Sequence, residues 1–151
     1  MAVVYCCYEM LRQNEREGVD YEVVTVTENR DPSVVVMAPH GGDIEPHTSL
    51  LADEIATDEF VFYEFRGKKK SGNRTLHITS TRFDEPCAVG LAERAEVVLA
   101  VHGARGGAEF LMVGGTARGV GVGDTGVTEQ DGDRRASAGR GLERRESDKH
   151  L

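Results

Sequence analysis

Apolar positions come in short blocks separated by polar or glycine-rich stretches, and the spacing within each block predicts its conformation. Residues 5–17 read as a helix with Leu11 as its clearest core position, a polar exit from Gln13 to Glu17, and Gly18 as its stop. Over residues 21–27, Tyr21, Val23, Thr25 and Thr27 fall on one face and Glu22, Val24 and Val26 on the other; with β-branched residues this dense, that is a strand. After a turn at residues 29–32, Val34, Val35, Val36 and Met37 are apolar without interruption, as in a strand buried on both faces of a sheet. A helix follows, capped by Thr48 or Ser49, with Leu51 and Ile55 forming an i,i+4 stripe beside Ala52 and Ala56 while Asp53 and Glu54 lie off it. Further strands are predicted at residues 60–65, 76–79, 96–101 and 109–113. A helix is predicted over residues 84–95, starting near Pro86.

Strands alternating with helices, two of the strands wholly apolar, predict an α/β fold: an open, mostly parallel or mixed sheet flanked by helices. The chain changes character near Gly114. Between Thr116 and Leu151 the large apolar residues are three valines and two leucines, too sparse to offset the entropy of ordering. The expected organisation is therefore an α/β domain over residues 1–115, incomplete if the gene is truncated or frameshifted, and a low-complexity, disordered tail over 116–151.

Charge narrows the partners. Across 151 residues, 18 Lys+Arg stand against 26 Asp+Glu, a net charge of −8. This argues against nucleic acid, which needs clustered cations; the run Lys68, Lys69, Lys70 is too short to supply them. No apolar run approaches the roughly 20 residues of a membrane helix, and no basic, then apolar, leader is visible, so a cytoplasmic protein is expected. The three cysteines include the adjacent Cys6 and Cys7 and form no Cys-x-x-Cys, which reads as free thiols in a reducing compartment. Oligomeric state is not legible.

The candidate chemistry sits where two apolar strands end alike, at Ala38-Pro39-His40-Gly41-Gly42 and Ala100-Val101-His102-Gly103. In open α/β sheets, ligands bind beyond the carboxyl ends of the strands. Glu45, five residues after His40, reaches it only if Gly41-Gly42 folds the loop back. His40, Glu45 and His102 would then supply two imidazoles and a carboxylate, the ligand set of catalytic zinc sites that keep a fourth position for water. Iron or nickel would accept the same set. Asp43 and His47 compete as ligands or as partners of ligands, and each histidine alone also reads as a hydrogen-bonded structural residue. A rival reading makes the glycine-rich stretch His102 to Gly107 a phosphate cradle, although it lacks both common nucleotide-binding glycine patterns. Around His77, Arg74 and Arg82 would offer planar forks to substrate carboxylates, or simply be surface arginines; Glu109 reads better as a strand-edge charge than as a catalytic group.

These motifs resemble the poly-γ-glutamate hydrolase family, phage-associated zinc hydrolases whose core is similar to the zinc carboxypeptidases. The matching segments are Glu17-Gly-Val-Asp-Tyr21, Ala38-Pro-His-Gly-Gly-Asp-Ile-Glu-Pro46, Leu76-His-Ile-Thr-Ser80, Phe83-Asp-Glu-Pro86 and Val101-His-Gly103, in order across residues 5–116. The resemblance implies Zn²⁺ held by His40, Glu45 and His102, an open α/β sheet, and hydrolysis of γ-glutamyl amide bonds in an acidic polymer or peptide. It also makes His77 a site residue with no assigned step. Family members carry further ordered elements after the Val-Gly-Gly segment, including a strand glutamate that, by analogy with zinc carboxypeptidases, is the general base. Glu129, Glu143 and Glu146 lie in no apolar strand pattern that would serve. The alternative to an active hydrolase is a metal- and ligand-binding remnant without its general base.

Overall fold

The structure is a computed structural model that describes residues 5–104; the strand expected at 109–113 and the tail expected from 116 lie outside the described residues. In chain order the elements are α1 (Tyr8–Asn14), β1 (Tyr21–Val26), β2 (Asp31–Gly42), α2 (Thr48–Ala56), β3 (Phe60–Gly67), α3 (Pro86–Arg94) and β4 (Val97–Ala100), with short 3-10 turns at Asn73–Leu76 and Ser80–Arg82. The strands form one sheet in the order β1-β3-β2-β4. β2 runs parallel to both β3 and β4, and β1 runs antiparallel to β3, so the sheet is mixed, as expected. Among the described helices none is long and apolar enough to cross a membrane.

Alternation along each strand sends side chains to two separate cores. Val35 and Met37 of β2, Val61, Tyr63 and Phe65 of β3 and Tyr21 of β1 pack with Leu11, Leu76, Ile78, Ala88 and Leu91 on the face covered by α1 and α3. Val36, Ala38 and Phe62 pack on the other face with Ala52 and Ala56 of α2. The apolar run of β2 is therefore what a doubly covered strand requires.

Two expectations need correction. The stripe of α2 that meets the sheet is Ala52 and Ala56, both fully buried, while Leu51 and Ile55 remain 49% and 37% exposed. Small residues let the helix backbone lie close over Phe62 and Val36, so volume rather than hydrophobicity chose the buried face. Residues 76–79 are no strand. Gly72 turns the chain with φ +77°, and Asn73 bridges both the N–H and the carbonyl of Lys69 through its side chain. The chain becomes extended at His77 as it leaves this 3-10 turn, with Leu76 and Ile78 buried and His77 only half-buried between them.

α3 begins as its sequence suggests, with Pro86 in the first turn, and its cap is Glu85. The buried Glu85 carboxylate accepts from the N–H of Cys87 and Ala88 (3.0 and 2.9 Å) and from the Tyr63 hydroxyl (2.8 Å). Glu85→Ala removes a helix cap and strands a buried phenol, so we expect a loss of about 2–4 kcal/mol in urea unfolding. A loss below about 1 kcal/mol would show that these bonds are replaced by water.

Candidate metal centre

β2 and β4 are parallel neighbours, so their carboxyl ends place His40 and His102 side by side. The backbone ladder continues one residue past β4 through Val101 N–H to the Met37 carbonyl (2.8 Å). An irregularity then re-aims His40: between Ala38, opposite Glu64, and Gly41, opposite Arg66, β2 carries one residue more than β3. Such a bulge breaks the strict alternation. His40 is fully buried, with its Nε2 2.7 Å from the Ile78 carbonyl and its ring edge-on to Phe83 at 6.0 Å.

The loop after His40 folds back as its glycines permit. Gly42 has φ +62°, and a Cβ there would stand 2.4 Å from the Gly67 carbonyl oxygen. Glu45 N–H donates to the His40 carbonyl (2.9 Å), closing the loop, and the Thr48 hydroxyl donates to the carbonyls of His40 and Glu45 (3.1 and 2.8 Å). Thr48 and Ser49, expected as caps of α2, instead tie this loop; His47 occupies the cap position with φ +73°. Asp43 and His47 are exposed, and the side chains that converge are others.

Four side chains meet. Glu45 Oε2 lies 3.2 Å from His40 Nδ1 and 3.6 Å from His102 Nδ1, and the two Nδ1 atoms are 3.2 Å apart. On the other side Glu45 Oε1 is 3.3 Å from His77 Nε2, and the rings of His77 and His40 stack at 4.0 Å. Gly103 N–H donates to Glu45 Oε2 (2.8 Å). That bond occupies the first amide of the supposed phosphate cradle, whose continuation from Arg105 lies outside the described residues.

The donor chemistry suits a cation. A carbonyl oxygen only accepts, so His40 Nε2 carries the proton and Nδ1 turns its lone pair toward Glu45 and His102. Metal-binding histidines are usually fixed in this way. Burial alone would raise the Glu45 pKa, but the neighbouring His102 and His40 imidazoles and the Gly103 N–H outweigh it and hold the carboxyl well below the usual carboxylate range. The His77 pKa is lowered, first by burial and then by His40, against a partial opposing pull from Glu45. His77 also meets the geometric demand on a ligand: His40, Glu45 and His77 each offer an atom within 4.8 Å of the others.

Arg74 is exposed and its charge is felt at His77, whereas that of Arg82 is felt at Cys6. Lys68 faces Glu22 (3.5 Å), and Lys69 binds Glu15 (2.5 Å) and Thr75 (3.2 Å), so two of the three lysines are paired away from the site. The cysteines are free, as expected.

Residues 5–122 match the family model described as poly-gamma-glutamate hydrolase. The chain is 45% identical over 115 residues to the UPF0714 protein YndL of Bacillus subtilis (strain 168), spanning 76% of this chain and 44% of that protein. It is 39% identical over 114 residues to the SPbeta prophage-derived UPF0714 protein YoqZ of the same strain, 76% of this chain and 40% of that one. The chain thus spans less than half the length of these curated relatives. Two solved structures are similar in fold: the zinc-free apo form of YndL (TM-score 0.59, 43% identity) and a bacteriophage poly-gamma-glutamate hydrolase (TM-score 0.59, 34% identity). Each likeness covers 66% of this chain and 47% of the solved one. With a family match across most of its length and the family's motifs at its candidate centre, the chain belongs to the poly-γ-glutamate hydrolase family.

Proposed function

We propose that this chain takes part in zinc-dependent hydrolysis of γ-glutamyl amide bonds in poly-γ-glutamate or similar acidic peptides, with the metal held by His40, Glu45 and His102. The observation that carries this reading is the approach of two imidazole Nδ1 atoms and one carboxylate oxygen to within 3.2–3.6 Å of one another, at the carboxyl ends of adjacent parallel strands. The zinc-free form of its relative YndL supports zinc as the ion. Zinc in such a site acts as a Lewis acid, polarising the amide carbonyl and acidifying a water. Glu45 offers Oε2 to the ion, and His77 holds Oε1 and so fixes the plane of the carboxylate. Arg74, whose charge is felt at His77, would bind a carboxylate of the polymer, with exposed Arg82 as a second cation.

His77 competes with His102 for the third ligand position, and the two assignments predict different losses. As the partner of Glu45, His77→Ala weakens zinc binding about 10- to 100-fold without abolishing it. Equilibrium dialysis checks this; complete loss of zinc from His77→Ala, with retention by His102→Ala, would reverse the two assignments.

The reading as a hydrolase is tested with purified, zinc-loaded chain and poly-γ-glutamate, following polymer size with a chelated control. Chelator-sensitive shortening is the expected result. A second reading, metal binding without catalysis, is favoured by one observation: among the described residues Glu45 is the only carboxylate in the cluster, and both its oxygens are engaged. A folded, zinc-bound chain that leaves the polymer intact would select it.

A further inference from the structure

The sheet face under α2 contains a carboxyl group that the apolar packing does not require. Glu64 is fully buried in β3, on the same face as its apolar neighbour Phe62. Burying a carboxyl is costly unless every oxygen is used. Here Oε2 accepts from Arg66 Nη2 (2.7 Å), and Oε1 accepts from Arg66 Nε (3.1 Å) and from the Ser49 hydroxyl (2.5 Å). The Ser49 oxygen in turn accepts from Gly42 N–H (2.6 Å). Gly42 is the left-handed residue of the loop that carries Glu45 back to His40. Gly41 leaves the space Glu64 occupies: a Cβ there would meet Glu64 Cγ and Oε1 at 2.5 Å.

We propose that Glu64 and Ser49 are positioning residues for the metal centre, holding the Gly41-Gly42 turn through the Gly42 amide so that Glu45 meets His40 and His102. This rests on the reading of those three residues as ligands. The turn is pinned from two sides. Thr48 ties the carbonyls of His40 and Glu45, and the Glu64–Ser49 pair ties the amide between them. A turn that must be frozen only when metal binds lowers affinity by the cost of freezing it, and this pair removes that cost.

The test is zinc affinity of the full 1–151 chain, measured by competition with a chromophoric chelator, beside melting of the metal-free protein. Ser49→Ala is expected to weaken zinc binding about 10-fold, the lower end of the range for losing a ligand's own partner, because Ser49 acts on the ligand loop through the Gly42 amide. Glu64→Gln keeps an amide oxygen for Ser49 and is expected to stay within a few-fold of the parent. A purely structural role would lower the metal-free melting temperature of Ser49→Ala and leave the zinc affinity of the folded protein unchanged; that result overturns the proposal. Should Ser49→Ala fail to fold, Gly41→Ala displaces the same carboxyl from the other side and is expected to weaken zinc comparably, with unchanged affinity again overturning the proposal. A folded parent chain that binds no zinc would instead overturn the ligand reading on which it rests.

Discussion

Replacing His102 by alanine is expected to weaken zinc binding by more than about 100-fold, beyond the range for losing a partner of a ligand, while leaving unfolding in urea within about 0.5 kcal/mol of the parent. Replacing His40 by alanine is expected to remove zinc equally and to destabilise the metal-free protein as well. The asymmetry follows from burial. The His102 side chain is 35% exposed and, among the described residues, makes its polar contacts within the cluster, whereas that of His40 is inaccessible and its Nε2–H satisfies the Ile78 carbonyl. Without that donor a buried carbonyl is left unpaired and the stacked His77 ring loses its neighbour, a cost of about 1–3 kcal/mol for the carbonyl alone. Dialysis with metal analysis, and urea unfolding in excess chelator, separate the two effects. Stoichiometric zinc retained by His102→Ala would sink its assignment as a ligand.

The elements legible in the sequence are those whose signal is local. β1 alternates and does split its side chains between the two cores, Tyr21 and Val23 to one and Val24 and Val26 to the other. The run at residues 34–37 of β2 is apolar throughout, and its residues pack on both faces of the sheet. His40, Glu45, His77 and His102 were marked by strand ends, glycines and family motifs, and the fold brings all four together. What stayed hidden depends on partners distant in sequence. No pattern within residues 76–79 says that the segment lacks a neighbouring strand, because alternating burial of Leu76 and Ile78 looks the same in an unpaired extended chain. The buried face of α2 depends on how close the helix sits to Phe62, which composition does not encode. Glu64 was overlooked because a carboxylate inside an apolar strand reads as an outward-facing position. The signal that would have found it is Gly41 and Ser49 together, one leaving space and the other supplying a hydroxyl.

Zinc-loaded chain is expected to shorten poly-γ-glutamate about 10²- to 10⁴-fold more slowly than the bacteriophage poly-γ-glutamate hydrolase at equal concentration, the range of a general-base contribution, because among the described residues the cluster holds no carboxylate besides Glu45. Glu45 is a poor substitute for that base. Its Oε2 accepts from Gly103 N–H and its Oε1 faces His77 Nε2, and its carboxyl is held well below the usual range, so it has little tendency to accept a proton near neutral pH. Outside the three proposed ligands, His77 is the titratable group of the cluster among the described residues, and it is half-buried. Its lowered pKa keeps it neutral at pH 7, able to accept a proton, but its Nε2 already faces Glu45. Comparing polymer size over time for the two proteins, each with and without chelator, reads the ratio directly. A ratio near one would mean that a carboxylate beyond residue 104 supplies the proton acceptor. Glu109→Gln, Glu129→Gln, Glu143→Gln and Glu146→Gln would then be the first variants to make, since each removes a base and keeps its shape. A ratio in the expected range, with zinc bound stoichiometrically, would mean that the chain binds the metal without an efficient proton acceptor.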